Sequence, residues 1–445
     1  MRYLPFWLAS SALALSIGQA IAAPASYSLE QAIDAALTNN PELNIMQARI
    51  EQANAQLGES LASFYPQIKT SLSYQHSNNP AQAFAMIIAQ RRLDMAQPAN
   101  AFNNPGFVDD YRPQVSASYS LFRGGQDYYN SQAAELNFEA SELEKSAARN
   151  RLVNHVTAAY YGELAAMDAN TISQRAIESV QSQLHQTQLG YEAGTVLKSD
   201  LLSLQVQLAE AQDAQIHAAN AIELAQNMLK TLLGLDANDS FAINPAANKN
   251  LPQSPASFEQ LLNQALAQHP ELKAAEKRVA IAEQQLAAAK AAHLPKADAF
   301  VSYGSDSKDL TYNSNRDNLT AGVMVEMDVF SGFATQEKIN KAEHQLTAVK
   351  ESARQSRLQI ENELKSAQLK LQEALHRAEV SNSASQAAEE ALRLVNQQRQ
   401  AGVVTVSRYL ETQVALEKAL SRQVSARFDA LRAEAALKQA IGTWQ

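Results

Sequence analysis

The sequence predicts a mainly α-helical protein that also carries a membrane β-barrel. Residues 126–189 form a run of about 64 residues with helical periodicity and no proline, enough for about 95 Å of helix. Four other segments alternate polar and apolar residues over about 9–11 positions, the length of a strand that crosses a bilayer. These features occur twice along the chain, which indicates an internal duplication.

Composition restricts the classes of protein to which the chain can belong. It has 445 residues, a net charge of −9 and no basic block, which argues against a nucleic-acid partner. It has no cysteine, so disulfides, thiolate metal sites and cysteine nucleophiles are excluded. Its eight histidines are scattered and form no HExxH or i, i+4 ligand pair. We therefore expect no enzyme activity, no catalytic residue, no metal site and no cofactor.

The N-terminus, residues 1–23, has the pattern of a secretory signal peptide. Arg2 supplies a positive charge, residues 8–17 form an apolar core too short to span a bilayer, and cleavage is expected after Ala22 or Ala23. No later run of about 18 apolar residues occurs, so the mature chain is expected to lack a transmembrane helix. Any insertion of the exported protein into a membrane must then use strands.

Two offsets relate the halves of the chain. Pro-Glu-Leu at 41–43 recurs at 270–272, an offset of 229 residues, whereas Ala-Gly at 193–194 recurs at 401–402, an offset of 208. The difference of 21 residues is extra length in the first copy, between Tyr74 and Pro113. The predicted organisation is a first repeat at 24–235, a linker at 236–257 that is rich in Asn, Pro and Ser, and a second repeat at 258–445.

Each repeat is expected to contribute one hairpin of two strands, at 66–122 and at 295–330. One face of these strands is apolar and the other is mostly Ser, Gln, Thr, Lys and Asp, although Phe300 interrupts the polar face. The apolar positions are Ile68, Leu72, Tyr74, Val115, Ala117, Tyr119, Leu121, Ala297, Ala299, Val301, Tyr303, Leu319, Ala321, Val323, Val325, Met327 and Val329.

The connections within the two hairpins, at 75–112 and 304–318, are polar and rich in Asn. The longer one contains an apolar island at 83–88, followed by Arg91 and Arg92. This island either folds back over the mouth of the barrel or forms a short helix in a surface loop, and the pattern is compatible with both. Glycines at 124–125 and 332 mark the turns from strand back to helix, and neither turn matches a phosphate-binding pattern.

Each repeat is also expected to end in a long helical hairpin, with its tip near Gly194 or Gly402. After each tip, apolar and small residues recur at alternating spacings of three and four, which is a coiled-coil seam. The seam positions are Leu201, Leu204, Leu208, Ala211, Gln215, Ala218, Ile222, Ala225, Leu229 and Leu232, then Tyr409, Thr412, Leu416, Ala419, Gln423, Ala426, Ala430, Ala433, Leu437 and Ala440.

Four strands cannot close a barrel, so the chain is expected to form an oligomer. Open strand edges in lipid would leave backbone N–H and C=O groups without partners. A dimer would give eight strands and a filled interior, whereas a trimer would give twelve strands and room for an open lumen. The predicted assembly is thus a trimer with a 12-stranded barrel, four transmembrane strands per protomer and a tunnel of coiled-coil helices.

The combined features resemble the TolC-like outer membrane efflux family. The matching motifs are Pro-Glu-Leu at 41–43 and 270–272, Tyr-Pro at 65–66, Leu-Phe-Arg-Gly-Gly at 121–125 and Tyr-Glu-Ala-Gly at 191–194, and the resemblance covers the mature chain. It implies a homotrimeric channel in the outer membrane, in contact with lipid and extending into the periplasm. Such a channel receives substrates from an inner-membrane pump through a periplasmic adaptor, in efflux or in type I secretion. Drugs, metal ions and polypeptides are all cargo of this architecture.

In that family the helical tips form a periplasmic entrance that is closed at rest. The resemblance assigns eight residues of this sequence to the gate: Tyr191, Gly194, Ser199, Asp200, Arg399, Gly402, Arg408 and Glu411. Ser199 and Asp200 match a hydroxyl and an acidic residue of the family pattern. Arg399, Val404 and Arg408 depart from it, which indicates different contacts at the gate.

We expect Asp200 to pair with Arg408 across neighbouring tips, with Glu411 left to form an acidic ring. The alternative is that these residues are solvated charges beside a glycine helix cap. Two other classes of protein remain open: a soluble periplasmic coiled-coil scaffold or adaptor, and a simple diffusion porin. The first has no need of two bilayer-length hairpins, and the second is disfavoured because helix greatly exceeds strand.

Overall fold

The computed structural model describes residues 26–96, 98, 100, 103–245 and 250–444. The expected signal peptide, 1–23, lies outside the described residues. The helices are α1 (Leu29–Asn39), α2 (Pro41–Leu61), α3 (Pro80–Ala89), α4 (Gln126–Glu192), α5 (Lys198–Leu233), α6 (Phe258–Gln268), α7 (Pro270–Ala291), α8 (Ala334–Gln400) and α9 (Val406–Ile441). The strands are β1 (Ser26–Tyr27), β2 (Gln67–Ser77), β3 (Val108–Arg123), β4 (Ala242–Ile243), β5 (Lys296–Ser305) and β6 (Asp317–Glu326).

The chain divides into two compact units, and each takes residues from both halves of the sequence. The tip unit comprises residues up to 38, 156–250 and 381–428, and the sheet unit comprises 39–155, 251–380 and 429–445. Both helix–loop–helix tips fall in the tip unit. The larger sheet falls in the sheet unit.

Four antiparallel strands form the main sheet in the order β2-β3-β5-β6. The two predicted hairpins are confirmed, and they pair with each other through β3 and β5. Two predicted ends were wrong. Strand β3 is longer than expected because its pairing with β2 continues to Ser77 and Val108, past the point where the alternation fades. Strand β6 ends at Glu326, before Val329, because its partner β5 begins opposite it at Lys296.

The sheet has one apolar face and one polar face, as the alternation predicts. Apolar side chains stand exposed on the first face in a single copy of the chain, including Ile68 at 72%, Leu319 at 70% and Val325 at 69%. On the polar face, Phe300 lies over Gly322, where an added Cβ would come within 2.9 Å of the phenyl ring. The aromatic exception in the pattern thus covers a neighbouring glycine.

The long helices confirm the predicted seams. Each seam position of α5 and α9 is buried or half-buried. In the tip unit the core is apolar around Tyr160, Leu164, Leu204 and Phe428, all fully buried. In the sheet unit a separate apolar cluster joins α6, α8 and α9, and it contains Leu261, Ala265, Leu364, Ala367, Leu371, Leu437, Ala440 and Ile441.

The start of the first repeat follows its capping signals. The Gln31 amide donates to Ser28 Oγ over 3.2 Å, and the Ser28 amide donates to Gln31 Oε1 over 2.9 Å, which confirms the capping box. Helix α1 ends at Asn39 and α2 begins at Pro41, so the chain breaks and restarts at the proline as predicted.

A two-stranded parallel sheet, β1 with β4, was not predicted. Ser26 pairs with Ala242 and Tyr27 with Ile243. Strand β4 lies within 236–257, for which composition predicted only a loop. The Tyr160 hydroxyl donates towards the carbonyl oxygens of Tyr27 and Asn244 at 3.2 and 3.4 Å. A strand of two residues carries too little periodicity to be found in a sequence.

No helix among the described residues has the length and apolar character needed to cross a membrane. The connection in the first hairpin is residues 78–107, shorter than the expected 75–112, and that in the second is 306–316. The apolar island of the first connection forms the short helix α3, which begins at the Asn79 N-cap.

Candidate functional site

The two tips have the same backbone structure. At the first tip the Gly194 amide donates to the Tyr191 carbonyl over 2.9 Å, and the Thr195 amide donates to the Gly190 carbonyl over 2.9 Å. At the second tip the amides of residues 402 and 403 donate to the carbonyls of Arg399 and Gln398 over 2.9 and 3.0 Å. Both patterns are Schellman caps.

Gly194 and Gly402 make these caps possible. Both have φ of +75°, the left-handed region in which a side chain is strained, and nothing lies within 4 Å of the position of an added Cβ. The glycines are thus required for the turn and not for close packing. The predicted glycine helix cap is confirmed at both tips, whatever role the nearby charges have.

Asp200 and Arg408 lie in the first turn of the helices that follow the two tips. Helix α5 begins at Lys198 without a side-chain cap, and Asp200 in its first turn suits the positive end of the helix dipole. Helix α9 begins at Val406, and the Arg408 amide donates to Thr405 Oγ1 over 3.4 Å. A cation in this place opposes the dipole, so Arg408 needs a nearby anion.

Glu411 supplies that anion within the same helix. Arg408 Nη1 donates to Glu411 Oε2 over 3.1 Å, and both side chains are about two-thirds exposed. Asp200 has no ion-pair partner among the described residues. Within one chain, therefore, the structure joins Arg408 to Glu411 and does not join it to Asp200.

Arg399 links the second hairpin to helix α4. Its Nη2 donates to Gln186 Oε1 over 3.0 Å, and its guanidinium carbon lies 5.2 Å from the centre of the Tyr409 ring. The second contact is a cation–π interaction. Arg399 thus contacts α4 and α9 from its own place near the end of α8.

Behind Arg399 the packing of the helices is polar. Ser179 Oγ lies 3.3 Å from the Tyr409 hydroxyl and donates to Gln413 Oε1 over 3.4 Å. Gln413 Nε2 donates to Glu417 Oε1 over 3.1 Å. Burial raises the pKa of the Glu417 carboxyl, and the hydrogen bond from Gln413 opposes that change. Further buried polar residues lie in the same part of the tip unit: Gln183, Thr187, Ser385 and Thr412.

Three buried polar atoms in this part of the tip unit have no hydrogen-bond partner among the described residues: Gln183 Oε1, Asn396 Oδ1 and Arg399 Nε. Each such atom costs stability, by about 1–3 kcal/mol. Apolar side chains also stay buried close to the tips, with Leu201 at 7% and Leu204 at 0% exposure. The tip end of the bundle is therefore held by directional polar contacts as well as by apolar packing.

Of the eight residues that the sequence assigned to the gate, all of which are described, only Arg408 and Glu411 are joined by their side chains. It places Tyr191 and Gly194 in one cap, Arg399 and Gly402 in the other, and Ser199 and Asp200 in the first turn of α5. Sequence reasoning missed Gln186 and Ser179 and treated Tyr409 only as a seam residue. Gln413 carried a signal, because it recurs as Gln205 at the offset of 208.

No group of three or more metal-ligating side chains occurs in the part of the chain that the structure describes. A cavity of about 440 Å³ in the tip unit is lined by charged and apolar side chains, among them Asp168, Arg175, Leu392 and Glu417. The charged side chains of its lining do not converge on a single functional group.

Comparison with known proteins gives a consistent result. A family model described as outer membrane efflux protein matches residues 32–235 and 261–443. The chain is 26% identical over 441 residues to the pyoverdine export outer membrane protein OpmQ of Pseudomonas putida, which covers 95% of this chain and 87% of that one. It is 21% identical over 432 residues to the outer membrane protein TolC of Escherichia coli, with 93% and 82% covered. A crystal structure of a membrane protein from Pseudomonas aeruginosa has the same fold, with a TM-score of 0.80 at 20% identity and 93% of both chains covered.

Proposed function

Because the chain belongs to the outer membrane efflux protein family, we propose that three copies form a channel that carries substrates from an inner-membrane pump, through a periplasmic adaptor, to the exterior. The chain is a protein of the outer membrane and functions in efflux. Members of the family are channels and not enzymes. The trimer, the partners and the route of the substrate are the proposed parts.

The single observation that carries the proposal is the open four-stranded sheet. Strands β2 and β6 each pair with one neighbour, so both edges of the described sheet are free. One face exposes apolar side chains and the other is polar. A sheet of this kind is stable in a bilayer only when further strands complete it. Three copies supply twelve strands, with the apolar face towards lipid and the polar face towards a wet lumen.

The duplication is a second part of the proposal. We assign 24–235 and 258–445 as two structural repeats joined by 236–257. Helices α4 and α8 both have 67 residues, and α5 and α9 both have 36. All four bounds recur at the same offset of 208. Each protomer then contributes two equivalent tips, and a trimer contributes six.

The tips are proposed as the periplasmic entrance. Polar contacts near the end of the bundle suit a closure that opens, since such contacts are exchanged readily for water. Within each chain, the contacts of Arg399 with Gln186 and Tyr409 hold the second hairpin against α4. These contacts are the intramolecular part of the proposed closure.

Between neighbouring tips we retain the pairing of Asp200 with Arg408, with Glu411 facing the opening. Arg408 engages Glu411 through Nη1 alone, and a guanidinium has further donors for a second carboxylate. The test is the current through the closed channel in Asp200→Ala and Arg408→Ala variants. Both are expected to leak more than the wild type, and an unchanged closed-state current in both would remove this pairing.

The proposal as a whole is tested by purification from membranes and by electrical recording. A detergent-solubilised trimer that forms channels in planar bilayers is the expected result. Recovery of a soluble periplasmic monomer would instead favour a scaffold or adaptor. Crosslinking in cells distinguishes an efflux channel from a simple porin, because only the former should copurify with an adaptor and a pump.

A further inference from the structure

The two connections of the sheet lie at one of its ends, and the long helices attach at the other. Strand β2 follows α2 and β3 leads into α4, while β5 follows α7 and β6 precedes α8. The described parts of 78–107, together with 306–316, therefore lie at the end remote from these helices. In the proposed channel this end is the outer mouth.

The face of β3 that turns towards the lumen can be followed to this end. Ser116 and Ser118 lie on the polar face, and the register between β2 and β3 is regular from Gln67 to Ser77. Side chains alternate strictly in a strand without a bulge. Arg112, Asp110 and Val108 consequently lie on the same polar face, in the outermost part of the strand.

Helix α3 packs on that face. Ala83 and Met86 form a small buried apolar cluster with Val108, at 0%, 5% and 8% exposure. At the end of the helix, Gln90 is 1% exposed, and its Nε2 donates to the Asp109 carbonyl over 2.7 Å and to Asp110 Oδ1 over 3.0 Å. The apolar contact with Val108 and the side-chain bond to Asp110 are thus made with the same face of β3.

A buried carboxylate ties the second hairpin into this contact. Asp306 is 1% exposed and accepts from Arg112 Nε over 2.5 Å and from Asn318 Nδ2 over 2.7 Å. Asn318 pairs with Gly304 on the polar face of the sheet. In addition, Arg91 Nη2 donates to the Asp317 carbonyl over 3.3 Å. The segment after α3 is thus bound to both hairpins.

From these contacts we infer that α3 lies inside the outer mouth of the channel, narrows the exit and is held there by Gln90. The inference rests on the proposed trimeric barrel, because only closure with the polar face inward turns this face into a lumen wall. Three copies of α3, one per protomer, then limit the width of the exit. The channel has a constriction at its outer end that is separate from the tips.

The placement of α3 is tested by labelling an introduced cysteine with a thiol reagent. Labelling is specific because the chain has no cysteine of its own. Ile88→Cys puts a thiol on an exposed position of α3, and Tyr312→Cys puts one at the same end of the sheet. The Tyr312 hydroxyl lies 3.1 Å from that of Tyr303 on the opposite, apolar face, so Tyr312→Cys is the matched control. Each trimer is treated in a planar bilayer with a maleimide that carries a polyethylene glycol chain.

We expect labelling of Ile88→Cys to remove most of the current. Labelling of Tyr312→Cys should leave the current unchanged. An equal effect at the two positions, whether block or no block, overturns the placement of α3 in the mouth. If the unlabelled trimers carry no current, the proposed channel itself fails, which is a different outcome.

The role of Gln90 is tested by Gln90→Ala, with Gln82→Ala as its control. Gln82 lies on the same helix, but its side chain accepts from Ser77 Oγ at the end of β2 and has no hydrogen bond to β3 among the described residues. We expect Gln90→Ala to raise the mean open current, because α3 loses its bonds to β3, and Gln82→Ala to match the wild type. Equal currents in the two variants overturn the role assigned to Gln90.

Discussion

Asn40 and His269 occupy the same helix N-cap position in the two halves of the chain. Both have extended backbone, with φ and ψ of −64° and 126° in one and −61° and 120° in the other. The side chain of each accepts a hydrogen bond from the backbone amide two residues on, at Glu42 over 2.8 Å and at Glu271 over 3.3 Å. Only the second cap can titrate.

This difference predicts a pH dependence of stability that originates at His269. Burial lowers the pKa of His269 below its usual 6.5, although the carboxylates of Glu271 and Glu363 oppose the change. The folded protein therefore favours the neutral ring, and stability falls as the pH drops from about 6.5 through the lower folded pKa. Protonation of Nδ1 also removes the acceptor of the cap.

Replacement of His269 by Asn, the residue of the first repeat, should remove that loss. We expect His269→Asn to match the wild type at pH 8 and to be more stable at pH 5 by about 1 kcal/mol. Thermal unfolding of the purified protein at the two pH values is the measurement. Asn40→His, the reverse change, should gain the same sensitivity to acid; a Tm that falls equally with pH in all three proteins would contradict the assignment.

Arg399→Ala should loosen the tips. It removes the hydrogen bond to Gln186 and the contact with Tyr409, and a bond to a charged group contributes about 1.5 kcal/mol, or about tenfold in an opening equilibrium. The expected result is a larger closed-state current in planar bilayers. Arg393→Ala is the control, because Arg393 pairs only with Glu390 on the surface of the same helix. Equal currents in the two variants would separate Arg399 from closure.

Glu163→Gln should stabilise the tip unit at neutral and alkaline pH. Glu163 is 1% exposed in α4, and burial raises the pKa of its carboxyl above the usual 4.5, while a hydrogen bond with Gln226 opposes this. A raised folded pKa means that the charged form is disfavoured, so stability falls as pH rises from about 4.5 through the folded pKa.

The variant should therefore raise the Tm at pH 8, with a gain in the free energy of unfolding of at least about 1 kcal/mol, and gain little near pH 4. Glu178→Gln, an exposed change in the same helix, should have no such effect. If the difference in Tm between Glu163→Gln and the wild type is the same at pH 4 and at pH 8, ionisation of the buried carboxyl does not destabilise the fold.

Gly402→Ala and Gly58→Ala should change stability in opposite directions. Gly402 has φ of +75°, so alanine there adds about 1–2 kcal/mol of backbone strain at the tip. Gly58 lies within α2 at an ordinary helical φ with nothing within 4 Å, so alanine should stabilise by about 0.5–1 kcal/mol. Hydrogen exchange at the second tip and global unfolding measure the two effects; protection at the tip that survives Gly402→Ala would contradict the first.

Local patterns were sufficient for most elements of this fold. The Pro-Glu-Leu breaks, the seams of α5 and α9 and the paired hairpins each depend on neighbours in sequence, and they were predicted to within a few residues. The end of β6 at Glu326 was missed because it is set by the place where β5 begins, which is a property of the partner and not of the strand itself.

The contacts at the tips show where such patterns are insufficient. Arg399 and Gln186 are 213 residues apart, and nothing in either local sequence states that α4 and α8 bring them together. The resemblance to a family indicated where the gate should lie, but its contacts follow from which helices are neighbours. In the same way, the polar and apolar alternation of the strands showed only that α3 lies in the connection between them. The register of β3 was needed to show that α3 covers the polar face of the sheet.

The matching lengths of the helices mean that the long helical hairpins of the two halves have equal arms. Helices α4 and α8 differ widely in sequence, yet both have 67 residues. The helices that follow them, α5 and α9, both have 36. Deletion of one residue from one copy alone would shorten that arm by about 1.5 Å and rotate its end by about 100°. Side chains of these arms can therefore diverge freely, whereas additions are tolerated where the 21 extra residues already lie, in the connection that holds α3.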